Sequence, residues 1–372
     1  MTENIKIRGY NPGDEEGIIK LLKIVFDGWP QYDTDYSAID TWNWKFGREM
    51  SKLTMGLAED GDQIVGTFLT WISKVKVGDS IYFASNGCDI AVDPNYRGFG
   101  IFNKTRDFVG NLRVKYDIKV HLGISGNPIV INSYDRNTEK NPETWIKFPF
   151  NVNRMIVVND IDDYLKKNPT KNTFIKKIGY RTLKNAYKLE NTLSKKHNVQ
   201  KNIKLRQISL FDEHIDEFWD RIKNSYDYIL ERKKEYLNWR YFDPRAGIYR
   251  VTQAEKDDKV VGYSVIRINR IQPSNPKGYI VELLAEPGKL DTVDSLLMEA
   301  MQYFNKLGIN AVYSSQFENH PYFKIYRKYG FVSYTNDNLF LWLTEDLGKD
   351  IIKLKKTSIE RTHFSNGDED EI

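Results

Sequence analysis

Apolar positions Ile18, Leu21, Leu22 and Val25 recur at three- and four-residue intervals, which predicts an amphipathic helix over 15–26. A short strand over 5–8 precedes it, and a second short helix after Pro30 and the polar stretch 31–37 should carry Trp42 and Trp44. The period then changes. Residues 54–58, 64–77 and 81–92 are β-branched and aromatic runs bounded by glycine and aspartate, the pattern of a strand meander. Pro94 ends that run, Arg97-Gly98-Phe99-Gly100 opens a helix to about residue 116, and 119–124 returns as a strand. The predicted order, β-α-α-β-β-β-α-β-α-β, is a mixed α/β sheet with helices on both sides.

The plan then repeats. Trp44-Lys45-Phe46 has a counterpart in Trp239-Arg240-Tyr241, an offset of 195. Ala58-Glu59 and Val65-Gly66 return as Ala254-Glu255 and Val261-Gly262, an offset of 196, and Asn127 and Tyr134 return as Asn319 and Tyr326, an offset of 192. Landmarks in one order with slowly drifting offsets predict a diverged duplication. The expected units are 1–165 and 203–346, joined by a lysine-rich linker over 166–202 with a bridging helix over 172–197. The charged segment 347–372, closing on Asn366-Gly367-Asp368-Glu369-Asp370-Glu371, is expected to be disordered.

Composition narrows the classes. A chain of 372 residues suits two domains. Its 55 basic and 51 acidic residues leave a net charge of +4, too small to predict a nucleic-acid or membrane-surface partner. A single cysteine, Cys88, excludes an internal disulfide framework and a cysteine-based zinc site and fits a reducing compartment. The five histidines show no metal spacing, so no metal is expected. No apolar run approaches the roughly 20 residues of a membrane span and the polar N-terminus does not read as a signal peptide, so a cytoplasmic protein without membrane insertion is expected.

The richest chemistry lies in Ala91-Val92-Asp93-Pro94-Asn95-Tyr96-Arg97-Gly98-Phe99-Gly100-Ile101. A strand ends at proline and a glycine-containing loop opens a helix, aiming backbone N–H groups and the positive end of a helix dipole at one point. Gly98 and Gly100 let a ligand approach the backbone, and Arg97 adds a fixed positive charge. The result is an anion cradle sized for a pyrophosphate. It is not a Walker loop, lacking Gly-Lys-Ser/Thr, nor a dinucleotide fingerprint, lacking the third glycine.

This string resembles the acyl-CoA motif Arg/Gln-x-x-Gly-x-Gly/Ala of the GNAT acyltransferase superfamily, with a departure at Phe102, where the family has a small residue. The resemblance covers most of the chain as two GNAT-like units, closest to tandem members with a Trp-Arg/Lys-Tyr/Phe element. It implies acetyl-CoA as acyl donor, seated by Arg97, Gly98, Phe99, Gly100 and Ile101, with the Val92 N–H polarising the thioester carbonyl and Asn127 facing the pantetheine arm. It implies Tyr134 as the acid for the departing thiolate, and Asp89 is the candidate base, with Asp93 behind it. The first two helices and their loop would form the acceptor wall, which brings in Trp29, Tyr32, Tyr36, Trp42 and Trp44; for Trp44 the repeat favours a packing role. About nine extra residues after Tyr134 set the first unit's helix end apart from the second's. The second unit has Leu284-Ala285-Glu286-Pro287-Gly288-Lys289-Leu290-Asp291 at its loop and should have lost acyl-CoA binding, since Glu286 and Asp291 would repel an anion. The expected activity is acetyl transfer to a primary amine of a small molecule, an amino sugar being favoured by the aromatic cluster, by direct attack in a ternary complex. Two readings stay open beside it: an aminoacyl-tRNA-dependent peptidyltransferase of similar tandem fold, and a non-catalytic acyl-CoA-binding module.

Overall fold

The computed structural model describes residues 5–168 and 202–370, so the expected bridging helix over 172–197 lies outside the described residues. Its first half runs β1 (Lys6–Gly9), α1 (Glu15–Val25), α2 (Ala38–Phe46), β2 (Gly56–Asp60), β3 (Gln63–Val77), β4 (Ser80–Val92), α3 (Ile101–Lys115), β5 (Val120–Ser125), α4 (Pro128–Lys140), β6 (Trp145–Lys147), β7 (Val152–Val158) and α5 (Ile161–Lys167). The second half follows a similar order, with β9 added between its first two helices and, among the described residues, no counterpart of β6: β8 (Lys204–Ile208), α6 (Glu213–Ile222), β9 (Tyr228–Leu230), α7 (Lys234–Tyr241), β10 (Tyr249–Lys256), β11 (Lys259–Asn269), β12 (Lys277–Ala285), α8 (Leu290–Lys306), β13 (Ala311–Phe317), α9 (Pro321–Lys328), β14 (Val332–Leu343) and α10 (Gly348–Lys355).

The pattern of the sequence explains these elements. α1 buries Ile18, Ile19, Leu21 and Leu22 on one face, and α2 starts at Ser37, whose side chain accepts from Asp40 N while the Asp40 carboxylate answers the Ser37 N–H. β3 is almost wholly buried because helices cover one face of the sheet and the other half of the chain covers the rest, so it reads as a continuous apolar run.

The main strands pair in the order β1-β2-β3-β4-β5-β14-β7-β13-β12-β11-β10-β8, with β6 on β14 and β9 on β3. The path reads almost the same from both ends. Each half has one parallel pair, β4 with β5 and β12 with β13, and antiparallel neighbours elsewhere. The last strand of each half is exchanged: β14 pairs with β5, β7 pairs with β13, and β7 and β14 pair with each other at the centre. One core cluster accordingly contains residues of both halves, from Ile18 and Trp42 to Tyr263 and Leu343.

The expected disorder of 347–372 is corrected by the structure over the described residues 347–370. α10 is followed by short helical turns at Ile359–Arg361 and Asn366–Asp368, and His363, Phe364, Asn366, Asp368 and Glu369 are buried. The tail's charges are neutralised by partners distant in sequence, Arg232 for Asp368 and Arg154 for Glu369, so local charge density misread burial as solvation. Among the described residues no helix is long and apolar enough to cross a membrane.

Candidate active site

The parallel strands β4 and β5 pair only over Ala84–Asn86 and Val120–Leu122, and then part. β4 is bent at that point by a bulge: Thr67 faces Ala91 and Leu69 faces Cys88, so two residues stand opposite Phe68, and Asp89 takes φ 43°. The opening is a cavity of about 700 Å³. Gly87, Cys88, Asp89 and Ile90 line it from β4, Gly123, Ile124 and Ser125 from β5, and Tyr134 from α4. Trp29, Tyr32, Trp44 and Lys45 close it from the α1–α2 region, and Arg154, Tyr279, Asp337, Glu369 and Asp370 from the far side.

Asp89 reaches this cavity with partners in place. Its Oδ2 accepts from Lys45 Nζ at 2.6 Å and its Oδ1 from Trp29 Nε1 at 2.8 Å. Burial pushes the carboxyl up against the opposing pull of the Lys45 charge. Lys45 bonds a second carboxylate, Asp370 Oδ2, at 3.3 Å, and these two anions hold its ammonium well above the usual range although burial pulls the other way. The Cys88 thiol, raised by burial, and the carboxylates of Asp89 and Asp370 come within 4.8 Å of one another, and the Lys45 ammonium bonds both carboxylates of that group.

Tyr134 is 1% exposed, its ring stacked on Phe340 at 5.0 Å and tilted on Trp145 at 5.4 Å. Its hydroxyl lies over β5, where a Cβ on Gly123 would stand only 2.9 Å from it. Burial raises the phenol, and the Arg113 and Arg106 charges oppose the rise. Arg113 is itself buried against Trp342 with Nε and Nη1 unpartnered. The extra residues after Tyr134 lengthen α4 to 13 residues against 8 in α9.

Asn127 caps α4, its side chain accepting from Ile129 N at 2.9 Å at the cavity rim. Val92 ends β4 opposite Gly66, and Asp93 caps the following turn through Asn95 N. Gly98 and Gly100 have φ 89° and 72°, and no atom stands within 4 Å of where either Cβ would be. Gly100 begins α3 without a side-chain cap, Phe99 is 44% exposed, and the Arg97 side chain has no hydrogen-bond or ion-pair partner among the described residues, only its backbone N–H bonding Pro94 O. Ile101 is buried under Gly66, so its contribution at the loop is its backbone N–H. Phe102 turns inward, 6.1 Å from Phe68 and 5.8 Å from the Arg106 guanidinium, and leaves the loop's open side clear. The loop does not line the cavity, but both lie at the C-terminal ends of β4 and β5.

Of the expected acceptor wall, Trp29, Tyr32 and Trp44 reach the cavity. Trp42 packs in the core on Phe46 at 4.4 Å, and Tyr36 is exposed. The sequence reading missed Lys45, Gly123, Arg154, Glu369 and Asp370. Only Lys45 carried a signal, as the middle of the repeated Trp-Lys-Phe element.

The second half has the corresponding gap, since β12 and β13 pair only over Lys277–Tyr279 and Ala311–Tyr313. The C-terminal segment fills it: His363 Nε2 lies 2.8 Å from Glu282 Oε1, Ser365 Oγ donates to Glu282 Oε2 at 2.9 Å and Asn366 Nδ2 to Ile280 O at 3.1 Å. Burial would raise the Glu282 carboxyl, but the Arg232 charge and the His363 and Ser365 bonds hold it at about 2. The Tyr326 hydroxyl accepts from Ser314 Oγ inside the core, and Glu286 pairs with Arg221.

Residues 6–107 match the family model of the acetyltransferase (GNAT) domain. A search of curated proteins gave no match. Among solved structures, a conserved protein of Enterococcus faecalis V583 put forward as an N-acyltransferase superposes with a TM-score of 0.60 at 10% identity, over 92% of this chain and 74% of that one. A GCN5-related N-acetyltransferase of Anabaena variabilis gives 0.59 at 10% identity, over 91% and 72%. The GCN5-related glucosamine N-acetyltransferase region of a fungal multi-domain β-N-acetylglucosaminidase gives 0.56 at 11% identity, over 91% of this chain and 38% of that one. At such identities the likeness is one of fold, a mixed α/β sheet of GNAT type.

Proposed function

We propose that the chain is an acyl-CoA-dependent N-acyltransferase built of two tandem GNAT-like units, over 1–165 and 203–346, the first catalytic and the second degenerate. The observation that carries the reading is the gap between β4 and β5, opening into a cavity beside an uncapped, glycine-flanked helix start. The residues fit the group: unpartnered Arg97 and the free space in front of Gly98 and Gly100 suit a pyrophosphate. Bound acetyl-CoA supplies an activated acyl group as a thioester.

The chain's own residues then divide the work. Arg97 and the N–H groups from Gly98 to Ile101 hold the phosphates, Asn127 borders the pantetheine path, and the Val92 N–H is the carbonyl donor. Tyr134, kept protonated by burial, delivers a proton from its hydroxyl beside Gly123 to the leaving sulfur. Asp89 takes the proton of the incoming ammonium through water. A carboxylate offers about four acceptor sites, of which Lys45 and Trp29 use two. Trp29 and Tyr32 suit the face of a sugar ring, so an amino sugar is the acceptor we favour, in keeping with the glucosamine N-acetyltransferase region among the structural neighbours. This reading places the protein in the cytoplasm.

Calorimetric titration with acetyl-CoA, followed by thiol release in the presence of glucosamine, spermidine and a short peptide, tests the proposal. One molecule bound per chain and amine-dependent thiol release are expected. A folded protein that binds no acetyl-CoA would overturn it.

A further inference from the structure

Lys45 is a primary amine inside the cavity to which we assign amine acylation. Its side chain is 10% exposed, and its Nζ bonds Asp89 at 2.6 Å and Asp370 at 3.3 Å. The position matched in the repeat is Arg240, which carries no acylatable amine, and it too faces the C-terminal segment: its guanidinium donates to the carbonyls of Glu369 at 2.5 Å and Gly367 at 3.4 Å. Both halves thus offer a cation to one strap. The strap is held firmly. Arg232 bonds Asp368 and lies 3.0 Å from Glu282, while Arg154 bonds Glu369 and Asp337, each at 2.6 Å. Anchored in the second half's gap, the strap sets Asp370 against Lys45 and the Asp89 backbone N–H.

We propose that Asp370 guards Lys45, keeping this amine in its ammonium form, so that Lys45 is acylated in place of the substrate when Asp370 is removed. The inference rests on the acyl-transfer reading above. An ammonium has no lone pair and cannot attack a thioester. Once the proton is lost to water, Nζ can attack the carbonyl carbon: a C–N bond forms, the C–S bond breaks, the thiolate leaves and takes a proton, and Lys45 ends as an amide. Among the described residues, the other titratable groups facing Nζ are Asp89 and Cys88 on β4 and Tyr32 in the α1–α2 loop. The Cys88 thiol and the Tyr32 phenol, both raised by burial, stay neutral at ordinary pH, which leaves the two aspartates as the anions that hold the charge.

The test compares wild type with Asp370→Asn and with a chain ended after Asp368, Lys45→Arg serving as control. Without acyl-CoA, labelling of Lys45 by acetyl phosphate is followed from neutral to alkaline pH by peptide mass spectrometry. Labelling should rise about tenfold for each unit by which the ammonium becomes easier to deprotonate. On incubation with acetyl-CoA, Lys45 should become acetylated in both variants and stay free in wild type. Equal labelling in wild type and Asp370→Asn, or equal acetylation, overturns the guard role. Calorimetry on the same samples separates the two claims: failure to bind acetyl-CoA sinks the reading of the cavity, whereas binding with unchanged Lys45 sinks the guard alone. Should the shortened chain not fold, Asp370→Asn decides.

Discussion

Trp44 and Trp239, 195 residues apart, stack with ring centroids 5.3 Å from each other, and each donates its indole N–H to the other's carbonyl, at 2.9 and 3.1 Å. The exchange is reciprocal, the same bond being made in both directions between the two halves of the chain. Together with the exchanged strands β7 and β14 it makes each half's packing depend on the other. Trp44→Ala or Trp239→Ala should therefore cost about 3–5 kcal/mol. Chemical denaturation should show a single transition shifted as a whole, and two separate transitions would contradict the interlock.

Arg97→Glu should abolish or greatly weaken acetyl-CoA binding without lowering thermal stability. Its side chain bonds no described residue, so nothing in the fold depends on it, whereas reversal of its charge sets repulsion where a pyrophosphate would sit. Calorimetry and a melting curve on one sample check both halves of the expectation.

Tyr134→Phe should lower kcat by about 10²–10⁴-fold, the usual contribution of a positioned general acid, while the stacking on Phe340 and Trp145 persists. Because burial raises the phenol, wild-type activity should not fall through loss of this proton until pH exceeds the ordinary tyrosine range. Gly123→Ala should impair the same step differently, since its methyl would press on the Tyr134 hydroxyl at 2.9 Å. Adding Tyr134→Phe to Gly123→Ala should recover part of the lost stability and none of the activity.

Periodicity carried most of the fold into view, because α1, the β2–β4 meander and α3 bury contiguous faces whose spacing is local. The Arg97–Ile101 loop was legible for the same reason, its geometry depending on two glycines and a proline close together. Strand exchange was not legible: nothing in the local pattern of β7 or β14 says which half's sheet it joins. The tail was misread because Asp368, Glu369 and Asp370 find their cations at Arg232, Arg154 and Lys45, between 136 and 325 residues away. Lys45 stood in a recognised repeat, but its role depends on a tail whose path the repeat does not contain.

Two buried histidines should set the acid limit of stability. His320 caps α9 by accepting the Tyr322 N–H on Nδ1, which requires a neutral ring, and burial lowers it to about 3. His121, buried beside Ser85, is pushed well below its ordinary value by burial and by the Arg113 charge. In the unfolded chain both titrate near 6.5, so on acidification the unfolded state takes up protons that the folded state refuses. Stability should then be full above about pH 6.5 and fall by about 1.4 kcal/mol per pH unit for each histidine as pH drops towards the folded values. Glu282, held at about 2, adds a loss in the same direction only below about pH 4.5. Asn is a good helix cap and does not titrate, so His320→Asn should keep α9 and flatten the fall by one histidine's share. Urea midpoints measured from pH 7.5 to about 4.5 check this, and a slope unchanged by the substitution would show that His320 takes up its proton in the folded state as readily as in the unfolded one.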